Sequence, residues 1–64
     1  MKTYTITEKQ DINSYREPVE ILVKSLTAAK RVASKNQAFF GTVLEISDFH
    51  GVVSIKEDGK WEDK

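Results

Sequence analysis

Few residues in this chain are of types that could do chemistry, and their scarcity limits the reactions open to it. His50 is the single histidine and cysteine is absent. Neither a thiolate or imidazole metal set nor a nucleophile activated by a nearby histidine can be assembled from that inventory. His50 lies in Asp48–Gly51, DFHG, which reads as a hairpin loop, so it is expected to be a turn residue. Glu57, Asp58, Glu62 and Asp63 are dense enough to suggest acid–base work. They flank an exposed Asp58-Gly59 turn, where nothing would raise a carboxyl pKa, and a solvated acidic end is the expectation. The glycines form neither a phosphate-cradling loop nor a dinucleotide fingerprint. No catalytic residue, metal ligand or cofactor is therefore expected.

The remaining candidate is basic. Lys30, Arg31 and Lys35, with Ser34 and Gln37 nearby, would form a patch one helix wide that suits the carboxylates or phosphates of a partner. Net charge is zero, but the charges are sorted along the chain. Residues 1–20 carry three bases and four acids, residues 21–44 four bases and no acid, and residues 45–64 three bases and six acids. A fold that sets the helix to one side of a sheet turns this sorting into a bipolar surface able to steer toward an anionic partner. Lysine and arginine are also ordinary soluble helix formers, and composition alone favours that plainer reading. Four bases, counting Lys24, are few for autonomous nucleic-acid binding, and no aromatic platform interleaves with them. A mimic of duplex DNA should be strongly acidic, which a neutral chain with a basic middle is not. Tyr15 and Arg16 are of the types that become interface hot spots, and Trp61 either closes an edge of the core or presents an aromatic anchor.

These side chains need elements to position them, and one stretch organises the rest. Ser25 to Gln37 alone has apolar residues at helical spacing, with Leu26, Ala28, Ala29, Val32 and Ala33 on one side and Thr27, Lys30, Arg31, Ser34 and Lys35 on the other. Ser25 is a suitable N-cap, and Gly41 has the φ freedom to turn the chain afterwards. Lys2–Thr7 alternates Tyr4 and Ile6 against threonines, as a half-buried strand does. Residues 8–18 are polar and end in a proline, so a connection is expected there, with some strand at its start. Val19–Ser25 reads as a second strand, with Val19, Ile21 and Val23 set against Glu20, Leu22 and Lys24. Ala38, Phe39 and Phe40 should plug one end of the core. Thr42–Ser47 is a third strand with Leu44 and Ile46 on one face, and Val52–Glu57 a fourth with Val53 and Ile55 on the same side. Asp58-Gly59 is a two-residue turn before a short strand, Lys60–Glu62. The class is α+β: an antiparallel sheet of about five strands packed on one helix, in the order ββαβββ.

Sixty-four residues are expected to make one domain, 1–64, burying only about 60% of the surface of the unfolded chain. No apolar run approaches the ~20 residues of a membrane span, and no signal-peptide core precedes the first strand. A soluble, cytosolic, monomeric protein is the expectation.

With these residues laid out, the sequence resembles the ninth family of phage anti-CRISPR proteins directed against the type I-F system. The likeness covers nearly the whole chain. It is carried by Ile12-Asn13-Ser14 followed by Arg16-Glu17, by Ser25-Leu26 and Ala29-Lys30-Arg31, by Ala33-Ser34-Lys35 with Gln37, by Gly41-Thr42-Val43, and by Lys56 to Lys60 leading to Trp61. The resemblance implies a small sheet curled around one helix. It also implies a non-enzymatic inhibitor acting in the host cytoplasm. Such an inhibitor binds the backbone subunits of the RNA-guided surveillance complex along the guide RNA and obstructs hybridisation of target DNA. It further implies nonspecific double-stranded DNA association by the inhibited complex. On this resemblance Lys30, Arg31, Ser34, Lys35 and Gln37 are expected to meet the partner, and Lys56 and Lys60 to contact stray duplex DNA. The tail Glu62-Asp63-Lys64 is more acidic than a DNA-holding edge should be, which weighs against the DNA role alone. The alternative is a small DNA-binding regulator using the basic helix, which would shift duplex DNA in isolation with a steep salt dependence.

Overall fold

The computed structural model describes every residue except 12, 13, 16 and 38–40, and only the backbone at Asp11, Ser14 and Tyr15. The expected core plug at Ala38, Phe39 and Phe40 lies outside the described residues, as do Arg16 and the side chain of Tyr15.

Six strand segments and one helix are present among the described residues: β1 (Lys2–Asp11), β2 (Ser14–Tyr15), β3 (Val19–Val23), α1 (Leu26–Lys35), β4 (Val43–Asp48), β5 (Gly51–Glu57) and β6 (Lys60–Asp63). All pairings are antiparallel. β2 and β3 both return along one edge of β1, with Asp11 opposite Ser14 and Ile6 opposite Val19, so together they fill one sheet position. The sheet therefore has five positions, β2/β3–β1–β4–β5–β6, with the expected ββαβββ order. The interruption before β3 contains Pro18, which has no N–H to give to a ladder. One expectation is corrected here: β1 runs to Asp11 and β2 follows, where residues 8–18 read mainly as a connection. Glu8 is buried through a hydrogen bond and Lys9, on the other face, pairs with Glu45, so polar side chains occupy both faces of β1 here and hide its two-residue period.

β3 and β4 lie on either side of β1 and run in the same direction, so α1 carries the chain across the sheet between them. Its start is set locally: the Ser25 hydroxyl accepts the N–H of Ala28 at 3.2 Å. Ala29 and Ala33, one turn apart, are fully covered, and their small side chains let the helix approach Leu44 and Ile46 closely. Tyr4 completes this buried cluster, and Ile6, Ile21, Val23, Leu26, Val53 and Trp61 pack around it. Each large aliphatic side chain so covered contributes about 1.5–3 kcal/mol of transfer free energy.

The alternation expected in β5 fails at one place. Ile46 is opposite Ser54 but Ser47 is opposite Val52, so Val53 is an extra residue, a bulge. Val53 packs on the core, whereas Ile55 stands in register with Glu45 and, beyond it, Thr7 on the face away from the helix. The two therefore do not share a side. Ser54, fully buried, takes the central position instead, its hydroxyl satisfied by Asp63 Oδ1 at 2.8 Å and by the Glu62 carbonyl at 3.3 Å.

Candidate partner-binding face

The bases expected on one helical face separate into two flanks. Thr27, Arg31 and Lys35, spaced four residues apart, are all exposed. Among the described residues neither Arg31 nor Lys35 takes part in an ion pair. Lys24, before the cap, is exposed as well.

Lys30 and Ser34, on the next row of the helix, turn toward the β5–β6 hairpin. Lys30 Nζ lies 2.7 Å from Asp63 Oδ1 and 5.8 Å from the centre of the Trp61 ring, and its side chain is only 21% exposed. The Lys30 ammonium, joined by the Ser54 hydroxyl, holds the Asp63 carboxyl below its usual range. Ser34 Oγ accepts Lys56 Nζ at 3.2 Å. Cross-strand register explains the meeting: Lys56 is opposite Trp61 and Ser54 opposite Asp63, so these four side chains share the sheet face that looks toward α1. Trp61 resolves accordingly as a residue that closes an edge of the core. Lys60, opposite Glu57, belongs to the other face. The two lysines expected to contact DNA are thus placed on opposite faces of one hairpin, Lys56 half-buried against the helix and Lys60 exposed.

Gln37 is also committed within the fold. Its Nε2 donates to Thr42 Oγ1 at 2.9 Å and to the Thr42 carbonyl at 3.3 Å, and the Thr42 hydroxyl donates to Glu8 Oε2 at 2.7 Å. Glu8 and Thr42 are both buried. This relay ties the chain after the helix to the middle of β1, and sequence reading missed it. The signal was present: Glu8 continues the Tyr4, Ile6 alternation and so belongs to the covered face once the strand is extended.

Among the described residues no cluster of histidine and carboxylate side chains could hold a metal ion. His50 sits exposed in the β4–β5 turn, and its backbone N–H donates to Asp48 Oδ1 at 2.8 Å. No helix is long and apolar enough to cross a membrane among the described residues.

No family model and no curated protein matches the chain. Among solved structures it is similar to AcrIF9, with 51% identity and a TM-score of 0.83 over 100% of this chain and 88% of that one. Identity at that level, on the same backbone and across the whole chain, goes beyond a shared fold. The chain belongs to the AcrIF9 family, phage anti-CRISPR proteins directed against the type I-F system.

Proposed function

We propose that this protein, a single domain and a monomer acting in the host cytoplasm, inhibits the type I-F surveillance complex without catalysis. It does so by binding the complex's backbone subunits beside the guide RNA and blocking hybridisation of target DNA. The observation that carries this reading is the solvent flank of α1, where Arg31 and Lys35 stand exposed and, among the described residues, without ion pairs, in a 21–44 stretch that contains no acid. Such a flank suits a site already shaped to receive a polyanion, whether it meets carboxylates or guide phosphates there. Within the wider set, Arg31 and Lys35 make the direct contacts. Lys30, Ser34 and Gln37 hold the helix in place through Asp63, Lys56 and Thr42 and present their remaining surface at the rim. Nonspecific association with duplex DNA, if the complex acquires it, draws on Lys60 more than on Lys56, whose ammonium is engaged with Ser34.

The test is capture of purified type I-F complex by the protein, followed by a target-DNA gel shift with wild type and Arg31→Glu. Binding that blocks the specific target and is weakened about tenfold in the variant is the expected result. Absence of binding, with the isolated protein shifting duplex DNA in a steeply salt-dependent way, would instead make it a DNA-binding regulator.

A further inference from the structure

Phe49 is the most exposed large apolar side chain among the described residues, with 96% of its surface in water. It occupies the tip of the turn joining β4 and β5, and the turn itself does not ask for it. Asp48 and Gly51 are directly opposite, and they supply what such a turn needs at its ends. Asp48 Oδ1 accepts the His50 N–H at 2.8 Å, and Gly51 takes the positive φ of +124°. Phe49 and His50 both avoid the left-handed region, so any residue fits there. The β5–β6 turn offers the contrast: Asp58 and Gly59 have φ of 54° and 78°, and both residues are of the types that geometry requires.

The turn is also held firmly. Lys2 Nζ pairs with the other Asp48 oxygen at 3.0 Å, and the Asp48 side chain is 6% exposed. The His50 ring meets Phe49 edge-on with centroids 5.6 Å apart. A large apolar ring is thus displayed on a pre-ordered support, which lowers the ordering cost of docking it. Met1, the residue next to the other partner of the same ion pair, is 82% exposed.

We infer that Phe49 is an aromatic anchor that seats in an apolar pocket on a protein subunit of the surveillance complex, a second contact beside the helix flank; this rests on the inhibitor reading above. A protein pocket fits better than stacking on a nucleobase. Stacking platforms are backed by a groove of positive charge, whereas Lys2 is already neutralised by Asp48, and the exposed lysines without ion pairs at that end of the sheet among the described residues, Lys24 and Lys64, follow β3 and β6 at opposite edges and form no groove.

The experiment compares the dissociation constant for purified type I-F complex among wild type, Phe49→Ala, Phe49→Leu and Arg31→Glu, with Tm measured for each. Phe49→Ala should weaken binding at least about tenfold, mostly through faster dissociation, with Tm unchanged and Phe49→Leu in between. If wild type binds and Phe49→Ala binds equally well, the anchor is overturned while the inhibitor reading stands. A fall in Tm would make the ring structural and overturn it too. Loss by Phe49→Ala of binding to a single-stranded DNA oligonucleotide, with binding to the complex intact, would reassign the ring to base stacking. Failure of wild type to bind the complex overturns both readings.

Discussion

Lys30 and Arg31 are neighbours in sequence, and the helix sends them to different environments. Lys30 leans over Trp61 onto Asp63 and joins the helix to the last strand, whereas Arg31 and, one turn on, Lys35 extend into solvent with no ion-pair partner among the described residues. A count of positive charge treats the two alike. What separates them is whether an acidic side chain from a distant strand arrives within hydrogen-bond reach. An internally neutralised base is already committed to stability, while an unpaired one remains available to a partner.

This contrast can be broken at several points. The largest effect is expected from the buried row on which both flanks depend: Ala33→Leu forces a larger side chain between helix and sheet and should cost about 1–3 kcal/mol, read by chemical denaturation. The loss of inhibition that follows should track unfolding. Next comes charge reversal at the two neighbours. Arg31→Glu should reduce affinity for the complex about tenfold, through lost contacts and slower encounter, with stability within about 0.5 kcal/mol of wild type. Lys30→Glu should do the reverse first: it sets a second carboxylate beside Asp63 and lowers Tm. Equal Tm for the two variants would remove the distinction between the flanks.

The smallest effect is a pH dependence. Because Lys30 and Ser54 depress the folded pKa of Asp63 below its ordinary value of 3.8, the carboxylate's contribution is present above that value and is lost as pH falls through the depressed one. The stability gap between wild type and Asp63→Asn should therefore narrow in acid denaturation below about pH 3.8. A gap that stays constant to lower pH would detach Asp63 from the Lys30 contact.

Much of the architecture was legible because it depends on neighbours in sequence. Ser25 caps the helix through the amide three residues ahead, Leu44 and Ile46 alternate into the core, and Asp58-Gly59 adopts the left-handed turn its residue types favour. The polar run after Thr7 was harder, since a strand with one wet face and a buried glutamate looks like a loop in composition. The candidate site was legible as a set of bases but not as a division of labour. Ser34 bonds to Lys56, Gln37 to Thr42 and Lys30 to Asp63, and two of these partners lie in strands that pairing alone brings under the helix.

The sequence by itself determined the helix and its start, the two tight turns, the alternation that selects Tyr4, Ile6, Leu44 and Ile46 for the core, and the sorting of charge that leaves residues 21–44 without an acid. These follow from period, φ preference and local hydrogen bonding, all of which act within a few residues. Tertiary structure alone decided which bases remain available, where Glu8 finds its partners, and that Val53 bulges. Each of those outcomes depends on which strand becomes the neighbour of which. Strand pairing is a long-range choice settled by the energy of the whole sheet, so no local pattern in the chain records it.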